Sequence, residues 1–338
     1  RFSGAYSMEM LFILLCISSL TMFMSGLIAN FEFDLKKIIA LSTLSQLGLM
    51  MSILALGESS LAFFHLLMHA LFKALLFMCA GSMIHSLSDS QDIRVMGSLV
   101  NIMPLTCCFF NICNFALCGL PFLSGFYSKD LILEAMSLGY FNFYIYFIFF
   151  ISTGLTVSYT IRLLYYTLVG DLKMFSYFSI SDSCMNMLKG MGGLIFFVIL
   201  AGSGFSWLMF PTPYFICLPL MMKIMVLFII IMGGWLGYLF SSGILLDFSK
   251  MMKSMGLVSF FMTIFNLNYL STLGMTYYPF YLGGLFMERV DQGWSEYFGS
   301  MNLFLTLKYM SLNLSMFFYN NFKMFLTLFL IWICLLLI

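Results

Sequence analysis

Two histidines and a lysine lie on one stripe of a predicted helix. Within residues 64–73, His65, His69 and Lys73 occupy positions i, i+4 and i+8, so each follows the last by about 6 Å of helical rise. Histidine titrates near neutral pH and a desolvated lysine can release its proton there, so this stripe could pass protons. The alternative is a static set of hydrogen bonds in which Lys73 forms an ion pair. Transport is favoured because ionisable side chains at membrane depth cost about 2.5–3.5 kcal/mol each.

A lysine and an aspartate follow a run of helix-breaking residues. Gly119 and Pro121 interrupt the apolar stretch 100–138, which is too long for one membrane crossing and too short for two. We therefore predict one broken helix, whose freed backbone carbonyls can hold the Lys129 ammonium. The alternatives are a neutral pair between Lys129 and Asp130, or a lysine that extends to the membrane surface. The cost of a charge at membrane depth again favours a function.

A third polar region begins with the charged residues 34–37 and continues into a polar patch. The patch consists of Ser42, Thr43, Ser45 and Gln46. Lys36 could belong to a hydrated path, or it could orient the chain from a helix end, as lysines commonly do. The residue types alone leave both interpretations of Lys36 open.

The composition excludes a soluble globular protein. Of the 338 residues, 62% are apolar and 9% are charged, against about 45–50% and about 25% in soluble domains. The net charge of +1 and the high hydrophobicity also exclude a nucleic-acid-binding or disordered chain. The 41 Phe and 31 Met residues hint at an organelle genome. We therefore expect a membrane protein.

Seven apolar runs are long enough to cross a bilayer, which takes about 20 helical residues. They lie near residues 8–30, 36–57, 60–87, 141–168, 190–210, 214–240 and 320–338. With the broken helix they predict an all-α, polytopic membrane helix bundle of about eight crossings. Threading them in order puts six basic residues on one side, namely Lys36, Lys37, Arg94, Arg162, Lys173 and Lys189, and only Lys223 near the other. The basic side is then the side of synthesis.

Residues 244–315 mix apolar and charged residues and fit a segment along the membrane surface. Pro279 and Gly283 are expected to interrupt its helical structure. Elsewhere we find no phosphate-binding loop, dinucleotide motif, cluster of metal ligands or nucleophile next to a base. The nine cysteines contain no C-x-x-C pair, which favours buried thiols. We therefore expect no cofactor in this chain.

Several segments resemble the chain 5 family of mitochondrial NADH:ubiquinone oxidoreductase, respiratory complex I. They are FDLKKIIALSTLSQ at residues 33–46, the helix with the two histidines and Lys73, the break at residues 123–130, and DQGWSEY at residues 291–297. The resemblance extends over essentially the whole chain and is arthropod-like.

The resemblance implies an antiporter-like fold of two inverted five-helix repeats, each with one broken helix. Residues 1–168 correspond to the second repeat, which holds a proton half-channel. Residues 169–243 are then two additional transmembrane helices, 244–315 a lateral amphipathic segment and 316–338 a transmembrane anchor. The first repeat has no counterpart here, so the chain is expected to be N-terminally incomplete.

The resemblance also implies a function in the mitochondrial inner membrane. The chain would be a proton-translocating subunit of NADH:ubiquinone reductase, with NADH, FMN, iron–sulfur clusters and ubiquinone bound by partner subunits. The expected partners are other membrane-arm subunits, especially the antiporter-like chain 4, and membrane lipid, without nucleic acid. The implied proton relay consists of Lys36, His65, His69 and Lys73 as a hydrated axis and Lys129 with Asp130 as its terminal site.

Two other functions stay open at this stage. A stand-alone cation/proton antiporter of the related multisubunit family would carry nearly the same core motifs. A purely structural membrane scaffold would hold every buried charge in a static pair.

Overall fold

The computed structural model describes residues 3–138, 143–173, 180–182, 184–242 and 256–337. Within these ranges the chain forms helices and no β-strand. This confirms the predicted all-α class. The chain divides into two compact units, residues 1–265 and residues 266–338.

The first unit is a bundle of mainly long helices. They are α1 (Met8–Ala29), α2 (Leu35–Ala55), α3 (Ser59–Ser86), α4 (Leu99–Ile102), α5 (Pro104–Cys118), α6 (Ser124–Leu138), α7 (Phe143–Leu164), α8 (Met185–Met209), α9 (Leu220–Ser242) and α10 (Gly256–Met262). A π-helical turn, Tyr165–Val169, extends α7. Among the described residues, α1, α2, α3, the extended α7, α8 and α9 are long and apolar enough to cross a membrane. The chain is therefore a multi-pass membrane protein.

The broken helix appears where the sequence predicts it. Helices α5 and α6 have 15 residues each, and a crossing takes about 20. The two therefore form one interrupted element rather than two full crossings. The predicted count of eight is not confirmed, because length and hydropathy identify six spans in the described ranges.

Glycine chemistry explains where α5 ends. Gly119 adopts a φ of +83°, a left-handed conformation that glycine reaches without the steric cost of a Cβ. The backbone amides of Gly119 and Leu120 donate back to the carbonyls of Ala116 (3.1 Å) and Phe115 (3.2 Å). Pro121 then supplies no amide to continue the helix. The turn therefore leaves carbonyls at the end of α5 without helical donors.

The basic connections gather at one end of the first unit, as the threading predicts. The backbone amide of Leu35, at the start of α2, donates to the carbonyl of Gln91 at 2.9 Å. The amide of Lys173, beyond α7, donates to the carbonyl of Val95 at 3.3 Å. These bonds join the α1–α2, α3–α4 and α7–α8 connections into one polar cap.

Charged and aromatic side chains hold this cap together. The Arg94 guanidinium donates to both carboxylate oxygens of Asp92 at 2.6–3.0 Å and so holds the pKa of that carboxyl below its usual value. Arg94 and the buried Arg162 both lie over the Phe33 ring, 4.3 and 4.9 Å from its centroid. Guanidinium groups favour such contacts.

Helix α3 lies at the centre of the first unit and packs against α2, α5, α6 and α8. Its apolar stripe, Phe64, Met68, Phe72 and Leu75, is almost completely buried. The ionisable stripe begins one residue later along the same helix, so α3 is buried on more than one face. This arrangement places the candidate site inside the bundle.

The second unit is a long helix followed by a shorter one. Its elements are α11 (Leu267–Tyr269), α12 (Met275–Phe286), α13 (Asn302–Asn320) and α14 (Phe322–Leu337), with π-helical stretches Leu270–Gly274, Met287–Ser295 and Tyr297–Met301. The expectation that Pro279 and Gly283 interrupt the helix is wrong, because both lie within α12. One proline costs about 3 kcal/mol and one glycine about 1 kcal/mol in a helix interior, and the many flanking turns keep their hydrogen bonds.

Close backbone packing of α9 on α7 generates a stability prediction. A Cβ added at Gly237 would lie 2.8 Å from the Ser158 Cα atom, whereas one added at Gly192 of α8 would meet open space. We expect Gly237→Ala to destabilise the protein by about 1–3 kcal/mol through overpacking. Gly192→Ala should be neutral or slightly stabilising. The thermal unfolding midpoints of the two detergent-solubilised variants test this, and equal midpoints would contradict the packing argument.

Candidate functional site

The structure buries all three ionisable side chains of the α3 stripe. His65, His69 and Lys73 are 1%, 8% and 4% exposed. The ring centroids of the two histidines are 6.3 Å apart, as the i, i+4 spacing predicts. The stripe is therefore a continuous line of titratable groups inside the bundle.

Helix α2 supplies partners for this stripe. The Lys73 ammonium donates to the hydroxyl of Ser42, and His65 Nε2 contacts the Gln46 side-chain oxygen at 3.1 Å. Ser42 and Gln46 are one helical turn apart and therefore share a face of α2. Two members of the polar patch predicted from the sequence, Ser42 and Gln46, thus face α3.

Lys129 occupies a second buried site, beside the helix break. Its side chain is 5% exposed. The ammonium donates to the Thr156 hydroxyl of α7 at 2.7 Å and lies 3.5 Å from the carbonyl oxygen of Leu117. Leu117 belongs to the last turn of α5, and its carbonyl has no helical amide partner because the residue four positions later is Pro121. The prediction that a freed carbonyl holds this ammonium is confirmed.

Ser128 joins the two sites. Its hydroxyl contacts His65 Nδ1 at 2.9 Å, and it is the residue immediately before Lys129. His65 is therefore in contact with α2 through one ring nitrogen and with α6 through the other. The two ring nitrogens of His65 thus link the polar face of α2 to the residue that precedes Lys129.

Neither buried ammonium has a carboxylate in ion-pair contact among the described residues. The ion pairs that these residues form are Lys37 with Asp34 and Arg94 with Asp92, both at the polar cap. Among these residues the structure contains neither the static ion pair considered for Lys73 nor the pair of Lys129 with Asp130. Asp130 is half-buried, and its charged neighbours are Glu134 and Lys223.

Lys36 lies apart from the axis in which the family resemblance placed it. Its side chain is exposed, whereas the buried face of α2 at that level carries Leu35, Ile38 and Ile39. Residues 36 and 42 differ by six positions, or about 600° of helical rotation, so they lie on different faces. The structure does not bring Lys36 to Lys73.

Helix α7 contributes hydroxyl groups to the site that were not predicted from the sequence. Its buried hydroxyl-bearing residues are Ser152, Thr153, Thr156, Ser158, Tyr159 and Thr160. Positions 152, 156 and 159 recur at helical spacing and therefore lie on one side of the helix. That stripe is visible in the sequence and predicts a polar side of α7 that faces the other helices.

Several buried polar atoms next to the axis have no protein partner in the described structure. They are Gln46 Nε2, His69 Nε2 and the Tyr159 hydroxyl. An unsatisfied buried polar group costs about 1–3 kcal/mol, and internal water is the usual way to satisfy it. Their distribution along the axis fits a hydrated path.

The described residues contain no cluster of side chains that could bind a metal ion. No three His, Cys, Asp or Glu side chains converge there as metal ligands do. All nine cysteines are free thiols, and Cys79, Cys107, Cys113 and Cys118 are buried. The titratable groups gathered inside the bundle are instead His65, His69, Lys73 and Lys129.

Comparison with known families covers nearly the whole chain. Residues 1–156 match the family model described as NADH:quinone oxidoreductase/Mrp antiporter, TM. Residues 159–338 match NADH dehydrogenase subunit 5 C-terminus. Among solved structures, a chain of an archaeal respiratory membrane complex, the membrane-bound sulfane sulfur reductase, is similar. Its TM-score is 0.52 and its identity 27%, over 57% of this chain and 32% of that chain.

Individual relatives agree with the family models. NADH-ubiquinone oxidoreductase chain 5 of Anopheles gambiae is 54% identical over 96% of this chain and 56% of the relative. The same protein of Locusta migratoria is 51% identical over 94% of this chain and 56% of the relative. The chain thus spans little more than half the length of these insect relatives, which also confirm the arthropod-like resemblance. The chain belongs to the NADH dehydrogenase subunit 5 family.

Proposed function

We propose that this chain is the proton-conducting part of a membrane-arm subunit of complex I, the proton-translocating NADH:ubiquinone reductase of the mitochondrial inner membrane. One observation carries the proposal: two buried ammonium groups, Lys73 and Lys129, lie at the two ends of a histidine-containing polar path, and no carboxylate of the described residues pairs with either. A charge at membrane depth is costly, and an unpaired one is kept where it moves protons.

The mechanism is electrostatic. A charge change that arrives from neighbouring subunits alters the proton affinity of Lys73, because charges in a low-dielectric interior interact strongly. The proton shift passes along His69 and His65 and reaches Lys129 past Ser128, which contacts His65. Lys129 then releases a proton at the helix break toward the intermembrane space. Lys36 takes no part in this scheme, since its side chain is exposed.

In this proposal, electron transfer belongs to the partner subunits and proton exchange to this chain. NADH, FMN, iron–sulfur clusters and ubiquinone are bound by other subunits, while this chain supplies only proton-exchanging side chains. The antiporter-like chain 4 is the proposed neighbour in the membrane arm, together with membrane lipid. Residues 1–168 act as the half-channel, 169–243 add two helices, 244–315 lie laterally and 316–338 anchor the chain.

A stand-alone cation/proton antiporter is the competing function. The model that matches residues 1–156 includes both quinone oxidoreductase and Mrp antiporter proteins, so it does not discriminate. The model that matches residues 159–338 is specific to NADH dehydrogenase subunit 5. The C-terminal half therefore favours complex I, and co-purification with an NADH-oxidising assembly distinguishes the two functions.

Replacement of Lys129 tests the proposed terminal site. In the assembled complex reconstituted into vesicles, we expect Lys129→Ala to lower the number of protons pumped per NADH oxidised. Loss of a positioned acid–base group slows its proton transfer by roughly 100-fold or more. Lys189→Ala, at an exposed lysine of α8, should keep the normal ratio. A normal ratio in Lys129→Ala would contradict the proposal.

Replacement of Lys73 separates transport from a structural scaffold. Lys73→Met removes a buried charge, so the solubilised complex should melt at an equal or higher temperature while it pumps less. Ser42→Ala keeps the charge but removes its partner, and should destabilise by about 1–3 kcal/mol. A large drop in the melting temperature of Lys73→Met, with normal pumping, would support the scaffold instead.

A further inference from the structure

Two separate contacts connect α3 to α2. Lys73 contacts Ser42, and His65 contacts Gln46. Because residues 42 and 46 are one turn apart, a single group placed between them could connect both ends of the α3 stripe by a second route. The structure places one side chain of α7 there.

That side chain is Tyr159. It is 1% exposed, and the neighbours of its hydroxyl include Ser42, Ser45 and Gln46. The hydroxyl nevertheless has no hydrogen bond of good geometry in the described structure. A phenylalanine would fill the same apolar volume without leaving this oxygen unsatisfied, so packing alone does not explain a tyrosine.

The hydrogen-bonding capacities of these groups are complementary. The Ser42 hydroxyl donates to the Ile39 carbonyl at 2.7 Å, so its oxygen faces the interior as an acceptor, which Lys73 uses. Gln46 Nε2 is a donor without an acceptor. The Tyr159 hydroxyl both donates and accepts, so it can donate toward Ser42 and accept from Gln46.

The same helix face reaches the second ammonium. Thr156, three residues before Tyr159 on α7, accepts a hydrogen bond from Lys129 at 2.7 Å. Residues three apart on a helix are neighbours on its surface. The Thr156 hydroxyl of α7 therefore contacts Lys129. The Tyr159 hydroxyl of the same helix lies beside Ser42 and Gln46, which contact Lys73 and His65.

We infer that Tyr159 is a positioning residue whose hydroxyl, acting through Ser42 and Gln46, couples the Lys73 site to the Lys129 site. This inference rests on the proposed function and adds a second link beside the direct α3 stripe. The hydroxyl lies next to the partners of both α3 sites and can connect them, directly or through water, so that a change of charge at one site alters the other.

The test uses Tyr159→Phe in the assembled complex, reconstituted into vesicles, with Tyr146→Phe as the matched control. Tyr146 lies on the same helix and packs against Phe150. We expect proton transfer to slow about fivefold in Tyr159→Phe, the effect of one neutral hydrogen bond, and the protons pumped per NADH to fall accordingly. The control should keep the normal ratio. In Ser42→Ala/Tyr159→Phe the loss should not exceed that of the larger single variant, because both act in one link.

The outcomes separate this inference from the proposed function. A normal ratio in Tyr159→Phe, with a lowered ratio in Lys129→Ala, overturns the role of Tyr159 alone. Normal ratios in both overturn the proposed function. Independent, additive losses from Ser42→Ala and Tyr159→Phe also overturn the coupling. If Tyr159→Phe fails to assemble, Gln46→Met tests the same link from α2, and a normal ratio there overturns it.

Discussion

The cost of keeping an ammonium group inside a bilayer constrains the rest of this structure. Lys73 and Lys129 are almost fully buried and have no carboxylate partner in the described ranges. Such charges persist only where hydroxyls, carbonyls and water take over the role of bulk solvent. The polar faces of α2 and α7 and the interruption between α5 and α6 each supply one of these groups. The bundle is thus arranged around two cations that its apolar composition would otherwise exclude.

The break between α5 and α6 shows how local chemistry serves this constraint. A regular helix would use every carbonyl internally, and Leu117 would then have nothing to offer Lys129. The left-handed Gly119 ends α5 and, with Pro121, leaves that carbonyl without a helical donor. Gly125 completes the arrangement, because a Cβ there would collide with the carbonyl of Ala116. The break therefore both positions the lysine and lets the two half-helices approach.

Sequence reasoning located most of the fold and much of the site, because its signals were local. The spacing of His65, His69 and Lys73 predicted a shared stripe, and glycine and proline predicted the break. It misplaced Lys36 because a lysine at a helix start looks the same whether it faces the interior or the outside. It missed Thr156 and Tyr159 because their importance depends on which helix packs beside α3, a long-range property. The break expected at Pro279 is absent, because a long helix tolerates a single residue that disfavours helical structure.

The central claim is that the path between the two lysines is wet and that neither lysine is fixed by an acid. The most direct measurement is a cryo-electron microscopy map of the assembled complex at a resolution that shows ordered water. The account predicts water density in contact with Lys73, with the ring nitrogens of His69 and with Lys129, forming a connected path. A dry path, with each ammonium held against a carboxylate of this or a neighbouring subunit, would contradict it.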